Sequence, residues 1–340
     1  MSLIVEAPGF LQVFSDGTVV RTAHRAAACS ATSKHVTIDP SKPITARVFL
    51  PSAAASPSPL PVLLYFHGGG FCIGSTTWLG YHVFLENLSA AAEAIILSVD
   101  YRLAPENKLP AYDDCFAASS GYAQASSRGL TLPTYPVFFL ASDSAGGDIA
   151  HHVAIKFVGE KNTKISIKGI IPIHPYFGSE ARTELEAEAG SVEEVKMNDM
   201  FWKLSLPDRA DRDFQSCNFE KAEVEWGLFP ATAVFVAGMD FLKEKGVMYV
   251  DFLKKKGVKN VLLHEAEEEK QRFSDMESEL RCCCFAPKPD KKFHAKLLIM
   301  IIKETLVLLN TNLNWQNKCK HCSWLNSKYL FSRRLLHQNP

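Results

Sequence analysis

A serine stands at the apex of Ser142-Asp143-Ser144-Ala145-Gly146-Gly147, between the apolar run Tyr135 to Ala141 and the stretch Asp148-Ile-Ala-His-His-Val-Ala-Ile. Strand, sharp turn and helix in that order lift a hydroxyl clear of a sheet and set the next amides and a helix N-terminus beside it. Hydrolases expose a nucleophile in this way. The usual elbow is Gly-x-Ser-x-Gly; here Ser142, a small residue, takes the place of the first glycine. A second cluster, His67-Gly68-Gly69-Gly70-Phe71, follows the apolar run Val62-Leu-Leu-Tyr-Phe66. An oxyanion hole needs donors ~3 Å from the developing charge, and a glycine loop brings backbone amides that close. Gly68, Gly69 and Gly70, together with the amide of Ala145, form the expected oxyanion set. Three glycines alone usually mean a flexible loop, but the serine elbow downstream reverses that reading. Asp240 follows the apolar run Thr232 to Ala237. That is the strand end at which open α/β sheets place ligand-binding residues, although a carboxylate there also caps turns.

These groups need a sheet to hold them. Apolar runs at Thr45–Leu50, Pro61–Phe66, Ala94–Val99, Pro136–Ala141, Ile167–His174, Thr232–Ala237 and Val258–Glu265 alternate with helical patterns. This alternation predicts a mostly parallel twisted sheet flanked by helices, an α/β fold. Leu11–Phe14 and Val19–Arg21 flank Ser-Asp-Gly-Thr and predict a hairpin at the sheet edge. With 340 residues, 47% of them hydrophobic, the chain is long enough for one large domain. We read 1–309 as that domain, with an N-terminal hairpin and cap segment at 1–40 and a core at 41–309; 310–340 reads as a divergent, disordered tail.

Lys plus Arg equals Asp plus Glu at 37 each, so no global field draws the chain to nucleic acid or anionic membrane. The run Ala295 to Leu309 suits a closing helix and is too short and too polar to span a bilayer. The N-terminus lacks the basic region and apolar core of a secretory signal, which predicts a cytoplasmic site, with a nuclear one as the variant. Nine scattered cysteines suggest reduced thiols. Cys319-Lys-His-Cys322 is half of a zinc pattern, so no metal and no cofactor is expected.

The pieces His67-Gly-Gly-Gly-Phe71, Asp100-Tyr-Arg-Leu-Ala-Pro-Glu106, Pro110-Ala-Tyr-Asp-Asp114, Asp143-Ser-Ala-Gly-Gly147, Pro175-Tyr-Phe-Gly178 and Gly238-Met-Asp240 occur in the order seen in one family. With them the chain resembles the plant carboxylesterases of the hormone-sensitive-lipase branch of the α/β-hydrolase fold, from about Val5 to about Phe273. The resemblance implies Ser144 as nucleophile, Asp240 as triad acid and a cap over the site drawn from the N-terminus and 178–214. It further implies a carboxylic ester hydrolase acting on a small-molecule ester. The family also holds the gibberellin receptor and 2-hydroxyisoflavanone dehydratase, so a non-catalytic binder of a small hydrophobic ligand and a dehydratase or lyase stand as alternatives.

The family's histidine falls where this chain has Gln271, within Glu265-Ala-Glu-Glu-Glu-Lys-Gln271-Arg-Phe273. Glutamine is no general base, and loss of a triad member removes ~10⁴-fold or more of rate. His294 is the nearest later substitute, His264 belongs to a strand, and His67, His151 and His152 read as loop-shaping or packing residues. The region after Asp114 reads as shorter than the family's helix, which threatens the packing beneath Ser144. Phe201, Trp202 and Phe214 suit either an apolar pocket or the core; Arg182, Asp211, Arg212 and Asp213 read as solvated charges.

Overall fold

The protein is described by a computed structural model over residues 1–39, 41–42, 44–51, 60–109, 111–127, 138–160, 166–188, 193–238, 240–266, 299 and 302–306. Gln271, His294, most of 295–309, Cys319–Cys322 and the tail 310–340 lie outside the described residues.

Eleven strands and six α-helices run along the described chain. In order they are β1 (Leu3–Ala7), β2 (Leu11–Phe14), β3 (Val19–Arg21), β4 (Ser33–Asp39), β5 (Ile44–Phe49), β6 (Val62–Phe66), α1 (Leu79–Ala92), β7 (Ile95–Asp100) and α2 (Ala111–Ser127). There follow β8 (Phe138–Asp143), α3 (Ala145–Gly159), β9 (Ile167–Ile173), α4 (Glu184–Glu188), α5 (Glu193–Ser205), β10 (Ala231–Ala237), α6 (Lys243–Lys255) and β11 (Val261–Ala266). The main sheet has the order β11-β10-β9-β8-β6-β7-β5-β4. Strands β6 to β11 pair in parallel, and β5 and β4 add an antiparallel edge.

The parallel strands are apolar throughout because both of their faces are covered. On β6, Val62, Leu64 and Phe66 face the layer that holds Ile149, Val153 and Tyr249, while Leu63 and Tyr65 face Phe84, Leu88 and Ile302. This alternation is the strand period of two, with a core on each side. Helix α2 reaches 17 residues and packs on α3, with the Phe116 and Phe157 rings 4.7 Å apart; residues 128–137, which complete the stretch read as shortened, lie outside the described residues.

Two expectations need correction. The N-terminal hairpin does not extend the main sheet: β1, β2 and β3 form a separate antiparallel sheet whose Ala7, Leu11 and Val13 pack on Cys72, Ile73, Ala104 and Phe201. The segment 1–40 also divides, since Ser33–Asp39 is the edge strand of the main sheet. That strand is mostly solvated and polar, so it lacks the apolar run that marks its neighbours.

The elbow is possible because α3 starts almost in contact with β6. A Cβ on Gly146 would lie 2.0 Å from the Phe66 carbonyl oxygen, far inside van der Waals contact. Alanine ordinarily favours a helix over glycine by ~1 kcal/mol; here the clash reverses the sign. Gly146→Ala is expected to destabilise the fold by ~1–3 kcal/mol, read as a lower urea midpoint at unchanged m-value.

Candidate active site

The expected groups collect at the carboxyl ends of adjacent strands. The glycine loop follows β6, Ser144 follows β8 and Asp240 follows β10. Ser144 has φ 50 and ψ −120 at the N-terminus of α3. A non-glycine residue there costs of order 1–3 kcal/mol and is kept only where its surroundings over-determine it. Three backbone bonds do so: the Ser144 amide donates to the Ile173 carbonyl at 2.9 Å, and its carbonyl accepts from Gly147 at 2.8 Å and Tyr176 at 2.9 Å.

Asp143, just before the serine, was legible only as part of the elbow motif. Its buried carboxylate accepts from the Tyr65 hydroxyl at 2.7 Å, the Tyr81 hydroxyl at 2.9 Å and the Gly68 amide at 3.0 Å. The Ser144 turn and the glycine loop are therefore fastened to one group. The Gly68 amide also lies 3.0 Å from the Tyr81 hydroxyl oxygen, so this amide faces the loop's own support. Gly68 is thus placed to shape the loop; among the described residues no protein acceptor takes the amides of Gly69, Gly70 and Ala145. Gly69 has φ 110, and a Cβ there would lie 2.2 Å from the Ile73 carbonyl oxygen, so glycine is required. His67 shapes the same loop: its Nδ1 donates to the Gly68 carbonyl at 2.8 Å, and Tyr101 stacks on its ring at 4.4 Å.

The loop is gripped from both sides. Arg21 of β3 donates to the carbonyls of Cys72 at 2.7 Å and Ala104 at 2.8 Å and forms a forked pair with Glu106 at 2.7 and 2.6 Å. From the other side Phe201 of α5 abuts Gly70, where a Cβ would meet its ring at 2.6 Å. Trp202 stacks on Tyr176 at 4.6 Å inside the core, and Phe214 is partly buried against it. Arg182 and Arg212 both pair with Asp199, and Arg212 also with Glu180, so the cap charges form a network.

Asp240 is buried, and its Oδ1 accepts from the Leu242 amide at 3.0 Å. The other histidines are engaged elsewhere: His151 meets the Tyr249 hydroxyl at 2.9 Å, His152 meets Asp148 at 3.2 Å and the Ser216 carbonyl at 3.0 Å, and His264 stacks on Phe235 at 4.7 Å. His174, at the end of β9, was passed over as a strand residue; its Nδ1 lies 3.9 Å from Asp240 Oδ2. Among the described residues no group of His, Cys, Asp and Glu is arranged to hold a metal ion, and no helix is long and apolar enough to cross a membrane.

An α/β-hydrolase fold family model matches residues 63–273. Probable carboxylesterase 6 of Arabidopsis thaliana is 36% identical over 263 residues, which cover 72% of this chain and 78% of that protein. The chain belongs to the plant carboxylesterase family of α/β hydrolases. Membership makes this chain a carboxylesterase-type enzyme. The chloroplastic tuliposide A-converting enzyme 2 of Tulipa gesneriana is also 36% identical, over 73% of this chain; the chain spans 66% of that enzyme's length. An esterase of Pyrobaculum calidifontis superposes with a TM-score of 0.65 at 25% identity, covering 82% of this chain and 86% of its own. Carboxyl esterase 2 of Tuber melanosporum has a TM-score of 0.65 at 23% identity over 80% and 87% of the two chains, a likeness of fold. The cytoplasmic or nuclear placement is overturned by the tulip relatives, which are chloroplastic or amyloplastic and point to a plastid. The expectation had tested only for a secretory address, and a transit address has a different composition.

Burial pushes the Asp143 carboxyl up to about 6 from 3.8, against the pull of Tyr65, Tyr81 and Gly68. Below ~4 both folded and unfolded states hold this proton; as pH rises only the unfolded state releases it at first, so stability is lost up to about 6. His174 titrates in the opposite sense: burial lowers it to about 4 from 6.5, so its contribution grows over that interval. The difference between wild type and Asp143→Asn isolates the first group. Wild type is expected to lose up to ~3 kcal/mol relative to the variant between pH 4 and pH 7, by urea unfolding. A flat difference excludes the assignment.

Proposed function

We propose that the protein hydrolyses the carboxylic ester of a small molecule through an acyl-enzyme on Ser144. Ser144 Oγ attacks the ester carbonyl and passes its proton to the base the site holds, which is not residue 271, where the family's histidine is replaced by Gln271. The amides of Gly69, Gly70 and Ala145 hold the oxyanion until the alkoxide leaves and takes that proton, and water then repeats the cycle on the acyl-enzyme. Asp240 is the acid that orients that base. The observation that carries this reading is the left-handed backbone of Ser144 at the start of α3, beside a glycine loop tied to the same Asp143. A second support is the N-terminal sheet on Cys72 and Ile73, which fits a cap enclosing a small substrate. We further propose that 1–309 folds as one catalytic unit.

A fluorophosphonate probe is expected to label the protein, and p-nitrophenyl acetate to be turned over, with both lost in Ser144→Ala. Absence of both in the wild type, with a hydrophobic ligand still bound, sinks the esterase reading and favours the receptor-type alternative. Gln271→His is expected to raise kcat/KM at least ~10²-fold, because it returns an imidazole to the place the family uses. An unchanged rate places the limiting defect elsewhere.

A further inference from the structure

Gly69 and Gly70 have φ 110 and 56, and no side chain of their own restricts the turn they form. Their amides are aimed through the carbonyls of the same peptide units. A trans peptide is planar, so its N–H points opposite to its C=O. The Gly68 carbonyl accepts from His67 Nδ1 at 2.8 Å, which directs the Gly69 amide the other way. The Gly69 carbonyl accepts from the amides of Cys72 and Ile73, both at 3.0 Å, and this does the same for the Gly70 amide. That second clamp has an outside anchor. Arg21 Nε donates to the Cys72 carbonyl at 2.7 Å, its Nη2 donates to the Ala104 carbonyl at 2.8 Å, and the Ala104 amide donates to the Phe71 carbonyl at 2.9 Å. Glu106 holds the guanidinium in register through two bonds, of 2.7 Å from Nη1 and 2.6 Å from Nη2.

We propose that Arg21 is a positioning residue of the reaction: from the N-terminal sheet, through Cys72 and the Gly69 carbonyl, it keeps the Gly70 amide aimed at the oxyanion. The proposal rests on the reading of the glycine loop as the oxyanion hole given above. The path from the guanidinium to that peptide unit is two hydrogen bonds long, Arg21 to Cys72 and Cys72 to Gly69. The side chains of Arg21 and Glu106 are 27% and 41% exposed, and a pair so exposed adds little to stability. Its geometry is what the loop uses. Five N–H donors in a fixed fork meet two carbonyls and a carboxylate at once, whereas a lysine ammonium is a single point on a flexible stem.

Amide hydrogen exchange reads the clamp without reference to catalysis. In Arg21→Lys the amides of Cys72, Ile73 and Ala104 are expected to exchange at least ~10-fold faster than in wild type, while Leu64 in β6 and Leu140 in β8 keep their rates. Unchanged exchange at all three overturns the proposal. Turnover of p-nitrophenyl acetate reads the aim. Loss of one oxyanion donor costs ~10²–10³-fold in kcat, and a donor misaligned rather than lost is expected to cost ~10-fold, with KM within about twofold. Faster exchange with an unchanged kcat, or a loss confined to KM, also overturns it. Glu106→Gln leaves Arg21 its two carbonyls and is expected to show the same changes at smaller size, with Arg21→Lys adding less than its full effect in that background. It also serves where the lysine variant fails to fold. A wild type that neither labels nor turns over fails the esterase reading, and the exchange comparison then decides whether Arg21 holds the Gly69–Gly70 peptide.

Discussion

The Asp143 carboxylate is buried where β6, β8 and α1 meet, and it collects the Tyr65 and Tyr81 hydroxyls and the Gly68 amide. Stripping a carboxylate of water is costly, and the cost is offset only while its partners stay in place. The three donors come from β6, from the loop that follows it and from helix α1. Each is held by the demand of the same anion, and the residue after that anion is Ser144. The spacing of Ser144 and the glycine loop is thus set by hydrogen bonds to one group rather than by the loop's own rigidity, which three glycines do not provide.

Such a loop needs support on its open sides as well. Arg21 reaches from the small N-terminal sheet to two carbonyls and to Glu106, while Phe201 closes the other flank against Gly70. A planar guanidinium suits the task because its five donors match carbonyls and a carboxylate at once. The N-terminal sheet and α5 are therefore part of the frame that holds the glycine loop, meeting it at Cys72 and Gly70.

Much of this was legible in the sequence because it depends on local pattern. The parallel strands announce themselves as apolar runs, since both faces are buried, and the serine elbow and glycine loop are backbone requirements written in small residues. The polar edge strand Ser33–Asp39 and the separation of the N-terminal sheet were not legible, because pairing partners of an edge are decided by distant chain. The same holds for Arg21, Tyr65 and Tyr81, whose partners lie 51 to 85, 78 and 62 residues away. His174 was missed for a different reason. A histidine closing a strand has no motif of its own, and its place beside Asp240 appears only when β9 is seen to lie between the strands of Ser144 and Asp240.

The order of those strands constrains the chemistry further. The floor of the site buries two titratable groups with opposite tendencies, Asp143 raised to about 6 and His174 lowered to about 4. From 4 to 6 both are neutral. Above 6 Asp143 becomes an anion close to where a second negative charge must develop on the ester oxygen. Its charge is met by two tyrosyl hydroxyls and the Gly68 amide. In the proposed mechanism the N-terminus of α3 and the amides of Gly69, Gly70 and Ala145 face the developing oxyanion. The Gly68 amide is engaged by Asp143 instead, so the glycine that shapes the loop is held by the anion that anchors it.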